Sequence, residues 1–243
     1  MRSMNLGQLQ IYSPTLQRHV SFSFRLPSSA EAGPGPYPAL LLLHGAEEDH
    51  TAWLTRTMLP VHLEGTPLIA IMPDGARSQW LNRNAHERYE DFLIHDLLPA
   101  CEAFFPVRAG HWAIGGLSMG GQGALHLGLK YPTRFASIYA HSSVIPDRET
   151  LHRWLPELNP ETLADADLYE RVRHMAARPE RPALSFDCGT EDPLLEENRA
   201  FHRHLQRIGY PHRYAEHPGG HTWHYWDEHV REALSQHLAV LAP

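Results

Sequence analysis

The segment AIGGLSMGGQGALHLGL, residues 113–129, places a single serine among glycines. Its pentapeptide GLSMG, residues 116–120, has the form G-x-S-x-G; an apolar stretch of strand length precedes it, and a helical pattern follows at once. A chain that passes from strand to helix without a loop strains its central residue, and the residues two positions away must be small. The pattern predicts that Ser118 is a nucleophile at the start of a helix, where the helix end favours developing negative charge.

A glycine-rich turn that serves only packing, or that binds a phosphate, is the alternative interpretation of this segment. A phosphate-binding loop would carry a Lys followed by Ser or Thr after its glycines, and no such pair is present. The strand before Ser118 and the helix after it are the context that a nucleophilic serine requires, so we favour the nucleophile.

A serine hydroxyl is a weak nucleophile, so it needs a base, and the base needs an acid that orients it. The segment ALSFDCGTEDPLLEEN, residues 183–198, supplies three carboxylates. Asp192 follows a glycine-containing turn and precedes a proline that opens a helix, so it is placed to reach the edge of a sheet. We predict that Asp192 is the acid, with Asp187, inside the strand, and Glu191 as alternatives.

The segment YAEHPGGHTWHYWDEH, residues 214–229, supplies the candidate base. His221 follows two glycines between the last strand and the last helix, where a loop can aim an imidazole at Ser118, and we predict that it is the base. The other histidines of the segment are His217, His224 and His229, of which the last two fit a helix as surface or partly packed residues.

Two backbone N–H groups are expected to stabilise the oxyanion that forms when a serine attacks a carbonyl. One belongs to Met119, directly after the nucleophile, and the other to Ala46, in the loop after the LLLLHG strand. Three tryptophans, Trp53, Trp80 and Trp223, lie in or just after loops at the same edge of the predicted sheet. All three are candidate substrate-binding residues, and we predict that two of them line a short acyl pocket, with core packing as the alternative for each.

The elements that must position these residues alternate along the chain. Residues 6–12 and 19–26 alternate polar and apolar, as half-buried antiparallel strands do, whereas five later apolar runs are typical of parallel strands covered on both faces. Helical patterns separate the runs, so we predict one α/β domain, residues 1–243, with a mostly parallel sheet and helices on both faces. Residues 147–178 interrupt the alternation, and we expect them to form a helical insertion that covers the site.

Composition excludes several classes of partner. The net charge is −7 and the basic residues are scattered, which argues against nucleic acid and anionic membranes. No apolar run is long enough for a transmembrane helix or a signal peptide, so a cytoplasmic protein is expected.

The two cysteines, Cys101 and Cys188, are interpreted as buried reduced thiols. Histidine zinc sites usually show a spacing such as H-E-x-x-H, which is absent here, so we expect neither a metal nor another cofactor. A homo-oligomer is left open.

With these residues identified, the chain resembles the esterase D-type branch of the α/β-hydrolases, and within it the tributyrin esterases. The resemblance extends over nearly the whole chain, through LLLHG, GTPLIAIMPDG, YEDFLIHDLLPACEAFFP, GLSMGGQGAL, CGTEDPLLEENRAFHRHLQRIG and GGHTWHYW. It implies an α/β-hydrolase fold and a serine carboxylesterase for short-acyl esters, with the acid at Asp192 and the histidine at His221. The chain departs from the family after MPDG, where it has ARSQWLNRN, and in the AEEDH loop, where Glu47, Glu48 and Asp49 make the mouth of the site acidic.

Three functions are compatible with these residues. The first is hydrolysis of a small ester through an acyl-enzyme. The second keeps the same three residues but acts on S-formylglutathione, or transfers the acyl group to a second alcohol. The third is a non-catalytic binding protein of hydrolase fold, which would be expected to lack one of the three residues. Because all three residues are present, we predict an ester hydrolase.

Overall fold

The computed structural model describes residues 5–242, apart from the side chains of Glu31 and His111. Eight strands form one sheet in the order β1-β2-β4-β3-β5-β6-β7-β8. Strand β2 is antiparallel to both of its neighbours, and the pairs from β4 to β8 are parallel, as the two sequence patterns predict. The strands are β1 (Asn5–Ser13), β2 (Arg18–Leu26), β3 (Tyr37–Leu43), β4 (Ile69–Pro73), β5 (Val107–Leu117), β6 (Phe135–His141), β7 (Ala183–Gly189) and β8 (Arg213–His217).

Helices connect the strands and cover both faces of the sheet. They are α1 (Ser29–Ala32), α2 (Ala52–Thr55), α3 (Leu59–His62), α4 (Tyr89–Asp91), a π-helical segment (Phe92–Leu97), α5 (Leu98–Phe104), α6 (Met119–Lys130), α7 (Arg148–Trp154), α8 (Pro160–Asp165), α9 (Leu168–Ala176), α10 (Leu195–Arg207) and α11 (Trp223–Val240).

Strand β3 shows why the central strands are continuously apolar. All seven of its residues are buried. Leu40 and Leu42 pack in the core that contains α2, α3 and α11, whereas Leu41 and Leu43 pack on the opposite face with α5, α6, α9 and α10. Successive side chains of a strand point to opposite faces, so a strand covered by helices on both sides must be apolar at every position. The result is the predicted three-layer α/β architecture.

Residues 89–105, YEDFLIHDLLPACEAFF, form α4, the π-helical segment and α5, which follow one another without a break. Asp96 is the polar residue on its otherwise apolar stripe. The Asp96 carboxylate accepts hydrogen bonds from the Ser13 hydroxyl and from the Thr15 N–H, 3.1 Å away. It therefore fixes the turn between β1 and β2 against this helical stretch.

Residues 147–178 contain three helices, α7, α8 and α9. Leu168, Val172 and Met175 of α9 belong to the main core, so this end of the segment is an integral part of the domain. Its other helices form a small cluster in which Leu151 and Leu163 pack against Leu81.

Neither cysteine forms a disulfide within residues 5–242, and both thiols are buried, as predicted. Burial raises the pKa of the Cys101 thiol to about 12, so this thiol stays protonated. No helix in the same range combines the length and the apolarity that a membrane crossing requires.

Candidate active site

Ser118 lies between the last residue of β5 and the first residue of α6. Its backbone has φ 54° and ψ −118°, a conformation that L-residues rarely adopt. Such a conformation costs about 1–3 kcal/mol, which interactions with the surrounding structure must offset. Two backbone hydrogen bonds hold Ser118 in this conformation. The Ser118 N–H donates to the His141 carbonyl at 3.0 Å, and the Ser118 carbonyl accepts from the Gln122 N–H at 3.1 Å. The sharp, strained turn predicted from the sequence is present.

The glycines on either side of Ser118 let three backbone segments approach closely. A Cβ on Gly116 would lie 2.5 Å from the Gly120 carbonyl oxygen, and a Cβ on Gly120 would lie 2.4 Å from the Leu43 carbonyl oxygen. These contacts are backbone to backbone, so no side-chain movement would relieve them. Both glycines are therefore required for α6 to start directly against the ends of β3 and β5.

The side chains of Ser118, His221 and Asp192 are hydrogen-bonded in series. His221 Nε2 lies 3.1 Å from Ser118 Oγ, and His221 Nδ1 lies 2.9 Å from Asp192 Oδ2. An ionised carboxylate only accepts hydrogen bonds, so Nδ1 carries the imidazole proton and Nε2 is left to accept the proton of the Ser118 hydroxyl. The geometry can activate Ser118 as a nucleophile.

The Asp192 carboxylate is fully buried, and its second oxygen accepts the Leu194 N–H at 2.8 Å. Burial alone would raise the pKa of Asp192, but hydrogen bonds from His221 and Leu194 outweigh it and hold the pKa below its ordinary value. The carboxylate is therefore ionised at neutral pH and can stabilise a protonated His221.

The alternative acids and bases do not reach Ser118. The Asp187 carboxylate is occupied by His141 Nδ1, at 2.8 Å, and by the Tyr225 hydroxyl, at 2.9 Å, whereas Glu191 is exposed. Among the alternative histidines, His224 is exposed and the rings of His217 and His229 stack on each other. Of the candidates, only Asp192 and His221 are joined to Ser118.

The two predicted oxyanion donors belong to residues near Ser118. Met119 is the first residue of α6, and the first N–H groups of a helix have no acceptor within the helix. Ala46 lines the cavity at Ser118. Both N–H groups are thus placed in backbone segments that border the serine hydroxyl.

The His44 side chain stabilises the loop that carries Ala46 through hydrogen bonds, a role that was not predicted from the sequence. His44 Nε2 accepts the Gly75 N–H at 2.9 Å, so the proton is on Nδ1, which donates to the Gly45 carbonyl at 2.7 Å. Burial lowers the pKa of His44 and keeps the ring neutral, as these two bonds require. The feature of the sequence that could have indicated this role is the position of His44, directly after β3 and before Gly45.

A cavity with a volume of about 460 Å³ opens at Ser118. Its walls come from the loops after β3 and β5 and from the start of α11: Gly45, Ala46, Glu47, Glu48, Leu117, Ser118, His221, Thr222, Trp223 and Trp226. Trp223 Nε1 donates to Glu48 Oε1 at 2.9 Å, which joins two walls of the cavity. Among the described lining residues none comes from 147–178, so a cover formed by that segment stays a prediction.

The prediction that Trp53 and Trp80 line this cavity is wrong. Both are buried in the core, where Trp53 Nε1 donates to the Leu43 carbonyl at 3.1 Å. Trp80 fits between two glycines: a Cβ on Gly75 or Gly123 would lie 2.3 or 2.6 Å from its ring atoms. Trp223 does line the cavity, with Trp53 packed edge-on behind it at 5.5 Å between ring centroids.

The packing of Trp80 predicts a stability effect. Trp80→Ala removes a fully buried ring and leaves a cavity, so we expect the free energy of unfolding to fall by about 3–5 kcal/mol. Trp154→Ala is the control, because this tryptophan is 51% exposed and its loss should change stability little. Urea denaturation followed by tryptophan fluorescence and circular dichroism measures both variants. Equal stabilities of the two would contradict the packing role of Trp80.

The sheet is mostly parallel, and a strained serine at a strand-to-helix turn is hydrogen-bonded to a histidine, which is hydrogen-bonded to an aspartate. These features define a serine hydrolase of the α/β-hydrolase fold. The family described as "Putative esterase" matches residues 13–237. The chain belongs to this esterase family, and it is a carboxylesterase.

Individual relatives agree with this assignment. The chain is 27% identical to an acetyl esterase of Caldicellulosiruptor saccharolyticus, over 95% of this chain and 97% of the relative. It is 32% identical to an esterase of Mycobacterium tuberculosis over 82% of this chain, but it spans only 51% of that longer protein. The structure is similar to that of an S-formylglutathione hydrolase from Staphylococcus aureus, with a TM-score of 0.84 and 25% identity over 98% of this chain and 100% of that one.

Proposed function

We propose that the protein hydrolyses short-acyl carboxylic esters through an acyl-enzyme. Ser118 is the nucleophile, His221 the base and Asp192 the acid that orients it. The single observation that carries this proposal is the unbroken hydrogen-bond series from Ser118 Oγ through the His221 ring to Asp192. A binding protein would have no need to maintain a strained serine at this position.

The geometry supports the following steps. Ser118 Oγ attacks the ester carbonyl carbon while its proton passes to His221 Nε2, and the carbonyl oxygen becomes an oxyanion facing the Ala46 and Met119 N–H groups. The C–O bond to the alcohol then breaks, and the alcohol leaves with the proton from His221. Water next attacks the acyl-enzyme and gives a proton to His221, which returns it to Ser118 as the carboxylic acid is released.

The walls of the cavity support a preference for short acyl chains. The bulky rings of Trp223 and Trp226 close one side, and the Trp223–Glu48 hydrogen bond fixes the first of these rings. An apolar pocket discriminates by about 1–3 kcal/mol for one misfit methylene group, so activity should fall steeply beyond the length that fits.

The test is kcat/KM for p-nitrophenyl esters from acetate to palmitate. We expect a maximum between the acetyl and butyryl esters and a steep fall beyond it. Trp223→Ala should move the maximum to longer chains by opening the wall, and Trp154→Ala, on the surface, should leave the profile unchanged. A wild-type maximum at eight carbons or longer would contradict the short-acyl proposal while leaving the ester hydrolase in place.

A second candidate, hydrolysis of S-formylglutathione, is supported by the structural similarity given above. The carboxylates of Glu47 and Glu48 line the cavity and would repel the anionic glutathione group. We therefore expect S-formylglutathione to be a poorer substrate than p-nitrophenyl acetate when both are assayed with the same preparation. A higher kcat/KM for the thioester would favour the second candidate.

A further inference from the structure

Three side chains that could ligate a metal ion lie close together at the end of β8 and on α11. His217 ends β8, and His229 and Glu232 lie on α11, three positions apart and therefore on one face of the helix. One potential ligand atom from each residue lies within 4.8 Å of the others. Glu232 Oε1 is 3.1 Å from His229 Nδ1 and 3.7 Å from His217 Nε2. We call this group the His217 cluster.

A second observation points to a ligand at this position. His217 Nε2 is shielded from solvent and makes no hydrogen bond with any residue that the structure describes. A buried polar atom without a hydrogen-bond partner destabilises the fold, and a neutral imidazole nitrogen is a common metal ligand. A metal ion bound beside Glu232 Oε1 would give this nitrogen its missing partner.

Among residues 5–242 a second group of this kind, Glu90, His126 and Asp165, is already paired with a cationic side chain. The Lys130 ammonium lies 2.6 Å from Glu90 Oε1 and also contacts Asp165. His126 Nε2, in turn, is 2.8 Å from the second Glu90 oxygen. An ion pair therefore satisfies these carboxylates. In the His217 cluster the contacts to Glu232 come from two histidines and from the Tyr139 hydroxyl, at 3.5 Å.

We propose that the His217 cluster binds a Zn²⁺ ion through His217 Nε2, His229 Nδ1 and a Glu232 carboxylate oxygen. Two nitrogens and one carboxylate oxygen form a donor set that zinc prefers, with solvent as the fourth ligand. Ligands of a tetrahedral zinc ion lie about 3.3 Å apart, given bonds of about 2.0–2.1 Å, and the separations from Glu232 bracket this value.

The path of the ion and the movement that it requires also follow from the structure. The Glu232 side chain is 48% exposed, so an ion can enter from solvent. The rings of His217 and His229 stack at 4.0 Å with 17° between their planes. Two nearly parallel rings cannot both direct a nitrogen at one metal ion. Ion binding therefore requires a rotation of the His217 ring, the more exposed of the two, toward Glu232. The bound ion then ties β8 to α11, on both sides of the loop that carries His221.

The experiment is a calorimetric titration of chelator-treated, full-length protein with ZnCl₂ in a buffer that does not bind metals. We expect one equivalent of Zn²⁺ to bind with micromolar or tighter affinity. Glu232→Gln and His217→Gln should each weaken this binding at least tenfold. His224→Gln, which removes an exposed histidine of the same helix outside the cluster, should leave it unchanged.

Thermal unfolding gives a second readout that does not depend on activity. Zinc that binds the folded protein raises the Tm of the wild type and of His224→Gln, and fails to raise that of Glu232→Gln. Because Glu232 is half exposed, this variant should fold, and circular dichroism verifies it. Absence of a one-equivalent site, or binding that both ligand variants retain in full, would overturn the proposal. Ester hydrolysis by Ser118 does not depend on either outcome.

Discussion

Ser118→Ala should lower kcat for p-nitrophenyl acetate by roughly four to six orders of magnitude, because it removes the atom that forms the acyl-enzyme. The residual rate comes from the oxyanion donors and from binding alone. The protein should stay folded, since the backbone hydrogen bonds of Ser118 to His141 and Gln122 do not involve its side chain. Steady-state kinetics gives the rate, and circular dichroism verifies the fold.

Ser235→Ala is the matched control for this variant, because Ser235 is an exposed serine of α11. Its kcat should equal that of the wild type. A Ser118→Ala protein that keeps a tenth of the wild-type rate would show that the nucleophile lies elsewhere. An inactive Ser118→Ala protein that has also lost its native circular dichroism would be replaced by Ser118→Cys, which keeps a side chain of similar size.

Asp192→Asn should lower kcat at neutral pH by about 10⁴-fold while the protein folds normally. The substitution removes the negative charge that stabilises protonated His221. Its amide can also donate to His221 Nδ1, which moves the imidazole proton to Nε2 and prevents that nitrogen from accepting the Ser118 proton. The measurement is kcat for p-nitrophenyl acetate, with the His221 tautomer followed by nitrogen NMR.

Asp187→Asn and Glu191→Gln are the matched controls for Asp192. Asp187 is bonded to His141 and Tyr225 and not to His221, so its substitution should lower the free energy of unfolding while kcat per folded molecule changes less than tenfold. Glu191 is exposed, and Glu191→Gln should behave as the wild type. A near-normal kcat in Asp192→Asn together with a collapse in Asp187→Asn would assign the acid to Asp187.

The strained turn at Ser118 was predictable from sequence because its causes are local. The apolar strand, the glycines at positions 116 and 120 and the immediate helix all lie within one short segment, and the backbone contacts of both glycines explain why no side chain fits there. Asp192 and His221 were predictable from their order along the chain and from the glycine-containing turns beside them. Loop position thus indicated which residues can reach the carboxyl edge of the sheet.

The direction of the tryptophan side chains was not predictable in the same way. Trp80 and its neighbour Gln79 both have positive φ, and the Trp80 ring packs against Gly75 and Gly123, which lie in different parts of the chain. Long-range complementarity of this kind leaves no local pattern. Trp226 also lines the cavity, but it lies inside α11, and a helical pattern alone does not show which side chains of a helix border the site.

The His217 cluster was missed for a related reason. Its residues follow the spacing H-x₁₁-H-x₂-E, from the end of a strand to a helix, and the short zinc motif H-E-x-x-H does not include this spacing. The pairing of β8 with β7 and the packing of α11 bring the residues together. Only the three-dimensional fold reveals such a group.

Labelling with a fluorophosphonate tests the central claim most directly, since such reagents phosphonylate a serine only when a neighbouring base activates it. We expect intact mass spectrometry to show a single adduct, peptide mapping to place it on Ser118, and His221→Gln to abolish it. An adduct on another residue, or labelling that persists in Ser118→Ala, would contradict the assignment of Ser118 as the nucleophile.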